Sequence, residues 1–154
     1  LSKKPQVNVS YGAIQSVLEA QKITSPSIKD VSDAVISIRE SKLPNPKEIG
    51  NAGSFFKNPV IAKSHFETLQ KEYKNIVSYP ISDTQVKVPA GWLIDNAGWK
   101  GKTFGNYGVH KNQALVLVNY DDAQGKDIFK LAEEIQADIF GEYEIDLEME
   151  VNVL

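Results

Sequence analysis

Apolar and polar residues alternate most regularly in EYEIDLEMEVNVL, residues 142 to 154. The apolar positions are Tyr143, Ile145, Leu147, Met149, Val151 and Val153. A period of two predicts a β-strand with one face on a core and an acidic face toward water or a cleft. A second strand is predicted in QALVLVNY, residues 113 to 120, where a continuous apolar run indicates burial on both faces. Val7 and Val9 alternate with polar neighbours and predict a short strand near the start.

Spacings of three and four between apolar residues predict three helices. The first begins at Ser25, which is followed by proline at the first helical position, and ends at Leu43, which precedes another proline. The second covers residues 61 to 74, and the third runs from about residue 125 to residue 140. Residues 44 to 60 show neither period, and their prolines and glycines predict a long ordered loop with at most one short strand.

Helices interrupt the predicted strands irregularly, and no internal repeat is visible. We therefore predict an α+β fold, a largely antiparallel sheet with helices packed against it. A chain of 154 residues is long enough to form one domain with its own core, so residues 1–154 are treated as a single domain.

The composition narrows the classes of partner and cofactor. A net charge of -3 provides no basic field for nucleic acid. The absence of cysteine excludes disulfides and thiolate metal sites, and two histidines are too few for a histidine-rich metal centre, so no metal is expected. No apolar run is long enough to span a bilayer and nothing resembles a signal peptide, so we expect a cytoplasmic protein without membrane contact.

The stretch GNAGSFFKNP, residues 50 to 59, is the strongest candidate for chemistry. Its ordinary interpretation is a glycine-rich turn beside a buried phenylalanine pair. In the functional interpretation, Gly50 and Gly53 let the backbone approach a ligand, and Ser54 and Lys57 offer polar groups to it.

Three known motifs do not fit this chain. Ser54 lacks the glycine that should follow in the G-x-S-x-G hydrolase motif. The Gly-Lys-Thr at residues 101 to 103 lacks the first glycine of a phosphate-binding P-loop. No G-x-G-x-x-G opens a predicted helix, so no dinucleotide-binding fold is indicated.

Four segments in the same order resemble a known family. They are KLPNPKEIGNAGSFFKNPV (42 to 60), PAGWLID (89 to 95), VHKNQALVLVN (109 to 119) and LEMEV (147 to 151). Together they resemble the C-terminal, substrate-binding domain of UDP-N-acetylenolpyruvoylglucosamine reductase (MurB). The resemblance covers nearly the whole chain, and NAGSFFKNP is its most specific part.

The resemblance implies a flavoenzyme of peptidoglycan precursor synthesis. In this family NADPH reduces FAD, and the reduced flavin then reduces UDP-N-acetylglucosamine enolpyruvate to UDP-N-acetylmuramate. The family's proton-donating serine matches Ser54, and a glutamate that assists at the same centre matches Glu150. Without the resemblance, Glu150 would be interpreted as a solvated residue on an acidic strand face. Where the family commonly has proline, this chain has Met149.

For substrate binding the resemblance points to Tyr11, Lys42, Asn58 and Gln113, with Arg39 contributing nearby. Lysine and amide donors suit diphosphate oxygens, and a tyrosine hydroxyl can close over them. From the residues alone, Lys42 would be a solvated side chain at a helix end and Tyr11 a half-buried strand aromatic.

The family also needs an N-terminal FAD-binding domain, and no cofactor-binding residue is assigned to this chain. Because the chain opens at Leu1 and stops at Leu154 inside a predicted strand, we expect a piece of a larger protein, inactive without the FAD domain. One alternative is a stand-alone nucleotide-sugar binding or regulatory module without redox activity. Another is an interaction domain that exposes Phe55 and Phe56 as an anchor.

Overall fold

The computed structural model describes residues 5–10 and 12–153 and divides the chain into two compact units, Leu1–Leu43 and Pro44–Leu154. The described residues of the first unit form helices α1 (Ile14–Ala20) and α2 (Ile28–Lys42). Ile14, Leu18 and Ala34 form its small buried core. The strand predicted from Val7 and Val9 is wrong, because residues 5–10 pair with no strand and Val9 only packs against this helical core.

Helix α2 begins two residues later than predicted. Ser27 is the N-cap: its hydroxyl accepts a hydrogen bond from Asp30 N–H, and the Asp30 carboxylate accepts one from Ser27 N–H at 2.8 Å. This reciprocal capping box satisfies two backbone donors that the helix leaves free, which explains the later start. The predicted end at Leu43 is confirmed, because Leu43 is extended before proline.

The second unit contains seven short strands, all paired antiparallel, and the predicted α+β class is confirmed. One sheet has the order β1-β7-β6-β5, and the other has the order β2-β4-β3. The strands are β1 (Gly50–Ser54), β2 (Val60–Ala62), β3 (Tyr79–Pro80), β4 (Gln85–Lys87), β5 (Thr103–Phe104), β6 (Tyr107–Val109) and β7 (Val116–Asn119).

Three helices pack with these sheets. Helix α3 (Lys63–Glu72) lies inside the predicted range, and α5 (Gly125–Tyr143) extends slightly past its predicted end. Helix α4 (Ala90–Asn96) was not predicted, because seven residues with an internal glycine carry little periodic signal. Burial stabilises it, since Leu93 and Ile94 are wholly inside the core.

The last segment, residues 144–153, forms no sheet strand. Its only bridge pairs Met149 with Phe56, so the predicted strand is wrong in its hydrogen bonding. The predicted alternation of faces is confirmed over its first part, because Ile145 and Leu147 are buried while their acidic neighbours are exposed. Helix α5 ends just before, where Glu144 takes the left-handed conformation with φ 54° and redirects the chain.

His110 predicts how the stability of this core depends on pH. It is buried, its Nδ1 has no hydrogen-bond partner among the described residues, and burial lowers its pKa below the ordinary 6.5. The unfolded chain therefore binds a proton more readily, so we expect the free energy of unfolding to fall as pH drops below about 6.5, by at most about 1.4 kcal/mol per pH unit. Urea midpoints at pH 7 and pH 5 should differ less in His110→Leu than in the wild type. An equal difference in both proteins would contradict this expectation.

Candidate functional site

The glycine-rich stretch forms strand β1 with a bulge. Gly50 pairs with Asn119 and Asn51 with Val118, but Ser54 pairs with Val116. Two residues, Ala52 and Gly53, thus lie opposite Leu117 alone, which is the definition of a β-bulge. Gly53 has φ +75°, a conformation that glycine adopts without strain. The prediction of a loop with at most one short strand is confirmed, and the second glycine serves the bulge.

The two phenylalanines after this strand belong to the core. Phe55 and Phe56 are 7% and 1% exposed, and their rings meet edge to face with centroids 5.4 Å apart. Such a pair anchors the chain directly after Ser54 through apolar burial. The hypothesis of an interaction domain with these residues as an exposed anchor is therefore wrong.

Ser54 and Glu150 are brought to the same place. Glu150 N–H donates to Phe55 O at 2.8 Å, and Phe55 N–H donates to Leu115 O at 2.8 Å. Both side chains are exposed and line one open cavity of about 540 Å³ with Ala52, Val151 and Asn152. Residues far apart in sequence thus present a hydroxyl and a carboxylate to a shared space.

Lys57 makes two further contacts next to Ser54 and Glu150, both of them with Glu148. Its backbone N–H donates to Glu148 O at 2.8 Å, and its ammonium group forms an ion pair with the Glu148 carboxylate. Both side chains are largely exposed, so the pair adds little to stability. Lys57 was a candidate donor to a ligand, and in this structure its charge is directed to Glu148.

The side chains of Asn58 and Gln113 both lie next to the first residues of α4. Asn58 Oδ1 accepts a hydrogen bond from Ala90 N–H at 2.9 Å. Gln113 Oε1 accepts one from Leu115 N–H at 3.4 Å and lies about 3.5 Å from where a side chain on Gly91 would begin. Because a backbone N–H can only donate, each amide must direct its oxygen to the protein. No described residue accepts from the two amino groups, which remain available as donors to a ligand.

The other predicted substrate residues fall elsewhere. Arg39 and Lys42 are exposed in the last turn of α2, in the first compact unit. Tyr11 lies outside the described residues. The structure thus brings together Ser54 with Glu150, and Asn58 with Gln113, while the roles of Arg39, Lys42 and Tyr11 stay predictions.

Asn51 is a residue that the sequence-based assignment missed. Its Oδ1 accepts a hydrogen bond from Gly53 N–H at 3.1 Å, and its Nδ2 donates to Ile49 O at 2.9 Å and to Pro44 O at 3.5 Å. An asparagine two residues before a glycine is a known turn signal, since its side chain can bond the N–H two residues on. That signal was present in the sequence.

The described residues contain no group of three or more His, Asp or Glu placed to hold a metal ion. Within residues 5–10 and 12–153, no helix has the length and apolar character needed to cross a membrane.

Comparison with known proteins shows the family of this chain. Residues 45–154 match the family model of the UDP-N-acetylenolpyruvoylglucosamine reductase C-terminal domain. The chain therefore belongs to this family, and the match is to its C-terminal domain.

Relatives of this chain carry the same family name. The protein called UDP-N-acetylenolpyruvoylglucosamine reductase in Flavobacterium johnsoniae is 55% identical over 149 residues, which covers 97% of this chain and 44% of the relative. Those of Porphyromonas gingivalis strain W83 and Pseudomonas putida are 50% and 47% identical over 154 and 153 residues, covering 45% of each. The chain thus spans less than half the length of these relatives.

Proposed function

We propose that this chain is the substrate-binding and proton-donating part of a reductase that converts UDP-N-acetylglucosamine enolpyruvate to UDP-N-acetylmuramate. The observation that carries the proposal is the shared cavity of Ser54 and Glu150, in a chain that belongs to this reductase family. The product would serve peptidoglycan precursor synthesis, and a cytoplasmic location stays a prediction.

The reaction adds one hydride and one proton across a carbon–carbon double bond. When bound, FAD reduced by NADPH would supply the hydride to one vinyl carbon. The electron pair of the double bond then lies on the neighbouring carbon beside the carboxylate, as an enolate that requires a proton. The Ser54 hydroxyl donates that proton from Oγ, which a strongly basic enolate can accept from a weak acid within hydrogen-bond reach.

Glu150 has a supporting role in this step. Its carboxylate lines the cavity that contains Ser54, so it can accept a hydrogen bond from a group at the reacting centre or help return a proton to the serine alkoxide. Fixed polar groups in such a place act without reorganising during the reaction.

The surroundings of Ser54 leave room for a planar ring system. The cavity is open, and even a methyl group on Gly53 would meet no atom within 4 Å. No residue of this chain is assigned to hold FAD. We propose that FAD and NADPH are bound by the N-terminal domain of the same protein, the partner that completes the site.

Asn58 and Gln113 would bind the substrate diphosphate. Both present amino groups whose orientation is set by backbone N–H groups acting on their oxygens. Donors held in one orientation suit anionic oxygens, because little side-chain freedom is lost on binding. Lys42, Arg39 and Tyr11 stay predicted substrate-binding residues, the first two for their positive charge and the third for its hydroxyl.

Asn58→Asp should raise the KM for the enolpyruvyl sugar by about 10-fold to 100-fold, as expected for loss of a hydrogen bond to a charged group. Aspartate still accepts from Ala90 N–H, so the fold should persist, but it offers a carboxylate where the ligand needs a donor. Steady-state kinetics of the full-length enzyme measure the effect, with kcat remaining near the wild-type value. Asn75→Asp makes the same charge change at an exposed position and should have no effect. An unchanged KM for Asn58→Asp would contradict the assignment.

The full-length protein provides the overall test. Supplied with FAD, NADPH and the enolpyruvyl sugar, it should oxidise NADPH and form UDP-N-acetylmuramate in equal amounts. A protein that binds the sugar without reducing it would support the rival of a nucleotide-sugar binding module.

A further inference from the structure

The bulge in β1 determines which way Ser54 faces. With regular pairing after Asn51 and Val118, Ser54 would lie opposite Leu115, but it lies opposite Val116. Side chains alternate between the two faces of a strand, so a shift of one residue moves a side chain to the other face. The extra residue therefore places Ser54 on the face of its pairing partner Val116.

Glycine by itself does not select this arrangement. Gly53 needs φ +75° for the bulge, and glycine populates positive and negative φ about equally. A bulged and a regular strand would then compete, with Ser54 facing opposite ways. A contact that stabilises only the bulged form is required to decide between them.

Asn51 makes such a contact. Its half-buried side chain accepts the hydrogen bond of Gly53 N–H at 3.1 Å, a backbone donor inside the bulge. The other end of the amide is held by Ile49 O at 2.9 Å and Pro44 O at 3.5 Å, which orients the oxygen toward Gly53. All three bonds join residues that precede Ser54 in the chain.

We propose that Asn51 is a positioning residue for the Ser54 hydroxyl. It holds the bulge through the hydrogen bond from Gly53 N–H and so directs Ser54 to the cavity shared with Glu150. This inference rests on the proposed proton-donating function of Ser54. Asn51 acts through the bulge and not by contact with the reacting atoms.

Two substitutions in the full-length enzyme test whether the hydrogen-bond acceptor of Asn51 is the part of its side chain that matters. Asn51→Leu keeps the branched shape without an acceptor, and Asn51→Asp keeps the oxygen for Gly53 N–H. We expect Asn51→Leu to slow reduction of the enolpyruvyl sugar by about 100-fold, since small misplacements of a reacting group have effects of this size. Asn51→Asp should retain more of the rate than Asn51→Leu but less than the wild type, because its second carboxylate oxygen would face Ile49 O and Pro44 O in place of the amino group. Stopped-flow absorbance should show flavin reduction by NADPH unchanged in both.

A double mutant shows whether Asn51 acts through the serine. If it does, adding Asn51→Leu to Ser54→Ala should produce no further loss, because residues that act as a unit have non-additive effects. Additive losses, equal slowing of both half-reactions, or a normal rate for Asn51→Leu would each overturn the inference. A normal rate for Ser54→Ala alone would instead overturn the proton-donor role on which the inference rests.

A folding defect in Asn51→Leu would not end the test. Asn51→Ser and Asn51→Ala make the same comparison with smaller side chains. A serine hydroxyl can accept from the N–H two residues on, whereas alanine cannot. Serine should then retain most of the rate that alanine loses, and equal rates in these two variants would overturn the inference.

Discussion

Ser54→Ala in the full-length protein should slow reduction of the enolpyruvyl sugar by about 1,000-fold and leave flavin reduction by NADPH within about twofold of the wild type. Loss of a general acid has effects of this order. Only reduction of the sugar should be slowed, because the proton is needed only after hydride has reached the substrate. Stopped-flow measurement of flavin absorbance follows the two half-reactions separately.

A matched control for this variant is Ser64→Ala, which removes the hydroxyl of another exposed serine, in helix α3. It should leave both half-reactions unchanged. Equal slowing of the two half-reactions by Ser54→Ala would show a general effect on the protein and would contradict the proton-donor role.

Gly108→Ala should lower the free energy of unfolding by about 3 kcal/mol, the upper part of the usual range for overpacking. Gly108 pairs with Thr103 between β6 and β5. A Cβ at Gly108 would lie 2.3 Å from Lys102 O and 2.9 Å from Thr103 Cα. Both are backbone atoms, so relief requires a shift of the paired strands rather than a side-chain rotation. Urea unfolding followed by circular dichroism measures the change.

Gly141→Ala is the control for this substitution. It lies in α5, where a Cβ meets no atom within 4 Å, and alanine favours a helix by up to about 1 kcal/mol over glycine. The control should therefore raise the urea midpoint slightly. A midpoint for Gly108→Ala equal to that of the wild type would show that β5 and β6 can separate without cost.

Elements with a long apolar period could be predicted from the sequence. Helices α3 and α5 match because their buried faces repeat over several turns and the core determines their orientation. Helix α4 could not be predicted, since its stability comes from burial of Leu93 and Ile94 rather than from local preference. In the first part of residues 144–153 the alternation identified the buried side chains, Ile145 and Leu147, but hydrogen bonding depends on a partner strand that sequence does not reveal.

The candidate site was predictable only in part. Ser54 and Glu150 were assigned by resemblance to a family, and only the folded chain shows that they line one cavity. The orientation of Asn58 depends on Ala90 N–H, a contact that no spacing reveals. The β1 bulge depends on pairing with β7, so the direction of Ser54 could not be deduced from the glycines alone.

The substrate-binding role of this chain can be tested by titrating the full-length protein with UDP-N-acetylglucosamine enolpyruvate, with isotope label confined to residues 45–154. We expect the backbone amide signals of Ser54, Asn58, Gln113 and Glu150 to shift together and saturate at one ligand concentration. If these four signals stay fixed while bound sugar shifts signals elsewhere in the label, this chain does not form the substrate site.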